Sequence, residues 1–397
     1  MFCRLAVCLS LRHVFFIMIV PENEFQALLA LSLNDRLSAA GKLQLLCLTG
    51  NALDLFQEPD LLYDSVLSCP VEELKDKLFS DTVARKVVKC LSFIEKNPQV
   101  HSIPFGSRYY PRLLSECHDA PVMLFYIGNL ETLGACHLLS MVGTRKCTQY
   151  GKDICGYFCS DLHKLMPDAT IVSGLAYGID GISHSAAIDN NLRTIGVLAH
   201  GLDDIYPAEH RNLAERMVEQ GGGLLSEFGP QTTPFKQNFI ARNRIIAGMT
   251  HATIVVESGF KGGSLITAEL ANDYGRECFA FPQNIFCSQS AGCNMLIGKN
   301  MAHLITSASD FVDIMGWGVP KQLDMFAVGF ERTVSSLDEN RKKVFELIRK
   351  SHNGASLEEI LPQCCLPIPD LTVMLLDLEL KGLIQTASGG RYFVKRF

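Results

Sequence analysis

The chain has 397 residues, of which 48% are hydrophobic and 20% charged, and its formal net charge is −6. That length is too great for one small core and predicts two or three domains of a folded, soluble protein. Overall acidity excludes a histone-like coat for nucleic acid, so any such binding must be confined to a patch.

The N-terminus, MFCRLAVCLSLRHVFFIMIV, is apolar, but Arg4, Arg12 and His13 divide it into pieces shorter than the roughly 20 residues of a spanning helix. Residues 1–18 therefore read as an apolar extension, mis-assigned or frayed, ahead of an ordinary start at Met18. No membrane span is expected, and the cytoplasm is the expected location. The fifteen cysteines contain no CxxC pair; the nearest groupings are Cys155 with Cys159 and Cys364 with Cys365. Zinc ribbons and fingers need two paired ligand sets, so no metal is expected, and the thiols read as small, reduced apolar side chains.

Residues 19–100 carry apolar side chains at helical spacing in EFQALLALSLNDRL, AAGKLQLLCL, ALDLFQEP, VEELKDKLF and TVARKVVKCLSFIEK, which predicts a small helical domain. The turn LTGNAL around Gly50 has the look of a SAM or helix-hairpin-helix element, whose backbone amides would face a DNA phosphate. A plain protein-contact domain fits as well, because its cations are not clustered. From His101 to Asn129, proline and aromatic punctuation reads as a connection.

Over 105–310 the texture changes. The apolar runs HLLSMVG, ATIVSG, TIGVLAH, GGLLSEF, ATIVVES, ECFAFPQ and AHLIT each precede a loop, and most are separated by helical stretches. This pattern predicts α/β architecture with a doubly wound, parallel, Rossmann-like sheet. In such sheets ligands lie outside the carboxyl ends of the strands, at the switch in strand order. The loops there are Gly143-Thr144-Arg145-Lys146, Ser173-Gly174 running on to Gly178 and Asp180, His200-Gly201 running on to Tyr206-Pro207, and Gly262-Gly263-Ser264 with Thr267. Together they predict two or three phosphate cradles on one rim. None has the spacing GxGxxG or GxxxxGK[ST], so neither NAD nor ATP has support and no cofactor is expected. Asp180, Ser183 and His184 are residue types for acid, nucleophile and base, but they share one helix start, where Asp and Ser are ordinary caps and dipole partners.

Between Glu227 and Glu257 there is no acidic side chain, while Lys236, Arg242, Arg244 and His251 fall inside, with Phe235 and Phe239 interleaved. Cations that track a phosphate backbone beside an aromatic face for a base are what single-stranded nucleic acid requires. Surface pairing of these cations with carboxylates elsewhere is the alternative.

Residues 311–337 read as a linker. Over 338–397, ENRKKVFELIRK is a helix, Ser356 and Glu359 form a capping box, LTVMLLDLELKG is a second apolar helix stopped by Gly382, and LIQTASGGRYFVK is a hairpin turning at Gly389-Gly390. The order is that of a winged helix. Its last helix offers Asp377, Glu379 and leucines where a DNA reader offers Arg, Lys, Asn or Gln, so docking or structure is the expected role.

The ordered motifs GTRKCTQYG, SGLAYGIDGISHSAAI, HGLDDIYPAEHRNLAE, LLSEFGP, FKQNFIARNRIIAGM, VVES with GGSLITAELA, and GRECFAFPQN with GCNMLI resemble those of the DNA-processing protein A (DprA/Smf) family. The likeness spans about 105–307. It implies a non-enzymatic bacterial protein that binds single-stranded DNA, protects incoming DNA and helps load the RecA recombinase in natural transformation, as a homodimer. Carried onto this sequence, it implies DNA contacts at Arg145, Ser173, Gly174, Lys236, Phe239, Arg242, Asn243, Gly263, Ser264 and Thr267. The acidic last helix and the apolar extension depart from the family pattern. An enzymatic alternative rests on Gly262-Gly263 with Glu269, similar to the PGGxGTxxE loop of nucleotide phosphoribohydrolases. Lys261 stands in place of that proline, and Leu265 and Ile266 in place of its Gly and Thr.

Overall fold

A computed structural model describes residues 21–57, 71–318, 333–334, 337–351, 354–364, 366–387 and 390–394. The apolar extension at 1–18, Gly389 of the expected turn and most of the expected linker at 311–337 lie outside the described residues. The chain divides into two compact units, residues 1–314 and 315–397.

The first unit begins with helices α1 (Glu24–Ser32), α2 (Ala39–Thr49), α3 (Ala52–Gln57), α4 (Val71–Leu78) and α5 (Asp81–Lys96). Asn23 caps α1 through a hydrogen bond accepted from the Gln26 amide, and Ser38 caps α2 through one accepted from Gly41. The helices close over leucines such as Leu29, Leu31, Leu45 and Leu55, and belong to the same unit as the sheet that follows. At the Gly50 turn, the Ala52 and Leu53 amides that open α3 both donate to the Glu24 carboxylate, at 2.8 Å each. An internal anion thus occupies the place where a DNA phosphate would sit in a helix-hairpin-helix.

The sheet has nine strands: β1 (His101–Pro104), β2 (Met123–Gly128), β3 (Leu138–Gly143), β4 (Thr170–Ser173), β5 (Arg193–Val197), β6 (Gly223–Ser226), β7 (Ala252–Glu257), β8 (Glu277–Ala280) and β9 (His303–Leu304). Their order is β1-β2-β6-β5-β4-β3-β7-β8-β9. Every pair from β6 to β9 is parallel, while β1 with β2 and β2 with β6 are antiparallel. The seven apolar runs are thus the parallel strands. The stretch from His101 to Asn129 corrects the expectation of a simple connection, because it contributes β1 and β2. Met123, Leu124, Phe125 and Tyr126 are all buried, so this run is a sheet strand and not punctuation.

Helices α6 (Arg112–Ser115), α7 (Gln149–Leu165), α8 (Ile179–Asp189), α9 (Arg211–Glu219), α10 (Lys236–Gly248), α11 (Gly263–Asp273), α12 (Ala291–Gly298) and α13 (Ala308–Met315) complete the unit. Helix α7 packs on α8 and α10 on α11. Cys155 and Cys159, one turn apart on α7, are fully buried free thiols, and burial pushes the Cys155 thiol up to about 12.

The second unit comprises α14 (Glu339–Lys350), β10 (Ala355–Ser356), α15 (Leu357–Cys364), α16 (Ile368–Leu380), β11 (Ile384–Ala387) and β12 (Arg391–Val394), with strand order β10-β12-β11. The capping box forms as its sequence dictates: the Ser356 amide donates to Glu359 and the Glu359 amide to the Ser356 hydroxyl.

Candidate nucleic-acid interface

Strand order reverses at β3, whose neighbours are β4 on one side and β7 on the other. Loops leaving the two sides diverge there, and a crevice opens beyond the strand ends. A cleft of about 680 Å³ lies at this place, lined by the loops after β3, β4 and β7 and by one face each of α10 and α11.

Three cations on its rim, Arg145, Lys236 and Lys261, are exposed, and none has an ion-pair partner among the described residues. The Arg145 guanidinium lies over the ring of half-buried Phe239, 4.8 Å from its centroid, and Tyr206 meets the same ring edge-on at 6.0 Å. A cation above an aromatic face is held without being neutralised, and keeps its charge available to a phosphate. Opposite, α11 starts at Gly263 with no side-chain cap, and the Gly263 and Ser264 amides have no acceptor among the described residues. A Cβ on Gly263 would meet nothing within 4 Å, so that helix end is open to an incoming anion. Ser264 offers its amide and not its hydroxyl, which donates to Ser258 at 2.8 Å. Thr267 lies buried in the cleft wall one turn further on.

Other anticipated residues stand behind this surface. Arg242 is only 3% exposed and donates to the carbonyls of Gly174, at 2.6 Å, and Val197. Burial lowers its guanidinium to about 10, so it stays charged at neutral pH while spending its donors on backbone. It also donates to the side-chain oxygen of Asn243, a residue of the cleft lining, at 3.3 Å. Gly174 is required for this brace, since a Cβ there would sit 2.5 Å from the guanidinium carbon. Ser173 is fully buried and donates to Met141 at 2.6 Å. Gly178, at φ 79°, lets the Thr144 carbonyl approach to within 2.2 Å of where a Cβ would be. The glycines after β3 and β4 therefore serve loop-to-loop packing. Of the expected cradles, the one at α11 has open amides.

The cleft's own carboxylate, Asp180, is nearly buried at the start of α8; burial pushes its pKa up, while Arg242 and Arg145 oppose the shift. It does not meet Ser183 and His184 as a catalytic trio. Ser183 donates to the Ile179 carbonyl at 2.7 Å, and His184 bonds Thr194 at 2.6 Å.

Comparison with known proteins identifies the family. The model of the family described as DNA recombination-mediator protein A matches residues 101–316, and that of the DprA winged helix domain matches residues 330–390. The chain belongs to the DNA-processing protein A family. It is 34% identical to Protein Smf of Escherichia coli over 79% of this chain and 82% of that one, and 37% identical to DNA processing protein DprA of Bacillus subtilis over 67% and 94%. The solved structure of DNA processing protein A from Streptococcus pneumoniae is 33% identical and covers 72% of this chain and 95% of its own, with a TM-score of 0.58.

Membership in the DprA family accounts for the mixed α/β sheet and the winged helix. The structure adds Lys261 to the cleft lining expected from sequence, and sets Tyr206 against Phe239 from outside that lining. Lys261 was legible in principle, because a lysine directly before an uncapped Gly-Gly helix start is placed to meet an anion. Tyr206 is legible only as the end of a strand-end loop, since its contact with Phe239 arises through the fold. Glu269, on which the phosphoribohydrolase alternative rests, is exposed on α11 and is absent from the cleft lining.

Proposed function

We propose that this protein binds single-stranded DNA in the cleft between β3 and β7, and that it acts as a cytoplasmic DNA-processing protein without catalysing a reaction. The observation that carries the reading is the Arg145 guanidinium poised over Phe239 beside the open start of α11. Phosphates bind Arg145, Lys236, Lys261 and the Gly263 and Ser264 amides, and a base displaces Arg145 from, or stacks beside it on, the Phe239 ring. Duplex DNA keeps its bases stacked inside and cannot reach that ring. Family membership further supports protection of incoming strands, loading of the RecA recombinase and action as a homodimer.

Affinity for single-stranded and duplex DNA of equal length, measured across a salt series, tests the reading. Lys236→Ala and Arg145→Ala should weaken binding of every sequence and reduce the slope of log affinity against log salt by about 0.7 each. Phe239→Ala should lower affinity by about 1–3 kcal/mol with the slope unchanged. Equal affinity for duplex, or a Lys236→Ala slope identical to wild type, refutes it.

A further inference from the structure

A second cleft, of about 640 Å³, lies on the other side of α10, where the N-terminal helices face the loop over 227–235. Its lining includes Lys42 of α2, Lys86 and Lys89 of α5, and Phe235, Asn238 and Arg244. The two clefts share α10 as a wall: Lys236, Phe239 and Asn243 line the first, and Phe235, Asn238 and Arg244 the second.

The charges of the second cleft are unevenly spent. Arg244 is buried and ion-paired with both Glu227 and Asp119, so its charge is fully consumed. Lys86 pairs with Asp35, whose side chain is 79% exposed, and a pair so open to water holds weakly. Among the described residues Lys42 and Lys89 hydrogen-bond only to neutral oxygens, the Ser32 carbonyl at 2.6 Å and the Gln231 amide oxygen at 3.0 Å, though burial lowers the Lys42 ammonium to about 8 against the pull of Glu227 and Asp35. Loop residues 228–235 belong to the acid-free stretch, so they add no opposing charge. On the ridge between the clefts, Phe235 is 62% exposed, and α10 begins there with no side-chain cap and with the Lys236 and Gln237 amides lacking acceptors among the described residues. Phe235 precedes Phe239 by one helical turn, about 6 Å along the axis.

We infer that the second cleft is a further single-stranded DNA subsite, which takes the strand leaving the first cleft across Phe235 and onto Lys86, Lys89 and Lys42. The inference rests on the reading of the first cleft as the primary DNA site. Phe235 stacks a base at the crossing, the open amides of α10 meet the phosphate beside it, and the lysines of the N-terminal helices follow the backbone beyond. The N-terminal helical region thereby gains a nucleic-acid role through exposed Lys89 and half-buried Lys86 and Lys42, although its Gly50 turn is closed by Glu24. An anion entering here competes with Asp35 for Lys86, which fixes the sign expected for removal of that carboxylate.

The test uses the full chain and thymidylate oligomers of about 6 nucleotides, near the lower end of the roughly 4–16 covered by single-strand sites, and about 24, beyond its upper end. The Lys86→Ala/Lys89→Ala double variant should bind the short oligomer as wild type does. It should bind the long one about tenfold more weakly, with a salt slope reduced by about 1.4, or about 0.7 for each lysine. Phe235→Ala should weaken only the long oligomer without changing the slope, and Asp35→Asn should strengthen it. Thermal midpoints should match wild type for all of these surface changes. If Lys236→Ala weakens both oligomers while the double variant binds the long one normally, the second subsite is overturned and the first stands. If Lys236→Ala has no effect on either oligomer, the primary reading falls, and with it a track that starts in the first cleft.

Discussion

Arg242 and Lys236 lie within two turns of one helix, and both are cations beside a phosphate-shaped cleft, yet the fold assigns them opposite tasks. Lys236 is exposed and carries no ion pair, whereas Arg242 is buried and braces two loops through the Gly174 and Val197 carbonyls. Arg242→Ala strands two buried acceptors at about 1–3 kcal/mol each, so its loss of DNA affinity should come with a clear drop in Tm. Lys236→Ala should lose affinity at an unchanged Tm, and thermal melts of the two variants separate brace from contact. His184 makes a residue-scale prediction of another kind. Thr194 donates to the Ile171 carbonyl, so its hydroxyl accepts from His184 Nδ1–H and leaves Nε2 buried without a partner. Burial lowers the His184 pKa to about 3. As pH falls below the unfolded value of about 6.5, the unfolded chain takes up a proton that the folded one refuses, so stability is full above that pH and is lost toward pH 3. Between pH 7 and pH 5 this histidine should cost about 2 kcal/mol, and denaturant unfolding of His184→Leu should show a pH dependence shallower by that amount.

At the scale of elements, the start of α11 decides whether the cleft accepts anions. Helix N-termini are normally capped by a side-chain oxygen; this one is left open, and its dipole is available to a ligand. Gly263→Asp would fill that place from within. Because nothing obstructs a side chain there, the new carboxylate should stabilise the helix by about 0.3–1 kcal/mol while displacing the phosphate. The expected outcome is an equal or higher Tm with at least a tenfold loss of single-stranded DNA affinity, and Gly263→Ala should leave affinity close to wild type. A variant that binds normally with aspartate at this position removes α11 from the site. Helix α16 of the winged helix shows the converse. Asp377 is paired with Arg341 and Lys381, and Glu379 accepts from the Thr386 amide and hydroxyl, so the acidity seen in sequence is consumed inside the unit. What α16 presents outward is apolar, with Val373, Leu376 and Leu380 exposed at helical spacing.

For the whole molecule, the division into two units makes the location of binding testable. All residues of both clefts belong to the unit of residues 1–314. Deleting residues 338–397 should therefore leave affinity for a short oligonucleotide nearly unchanged in a gel-shift titration. A loss as large as that of Lys236→Ala would move the site into the winged helix.

The sequence by itself determined the parallel strands, because strands buried on both faces must be continuously apolar and the helices between them must restore solubility. It also pointed to the place of the cleft, through glycine loops at strand ends and an acid-free basic stretch, and determined the capping box of the winged helix. Only the tertiary structure decided which of those residues face the ligand. Arg242 shares a motif with Lys236, and Ser173-Gly174 is a strand-end turn as Gly262-Gly263 is, and local pattern cannot tell a cation turned toward buried carbonyls from one turned toward solvent. That direction depends on loops brought together from β4 and β5, far apart in the chain. The occupied turn at Gly50 follows the same physics: Glu24 precedes Ala52 by 28 residues, and their hydrogen bond exists only after the helices have packed.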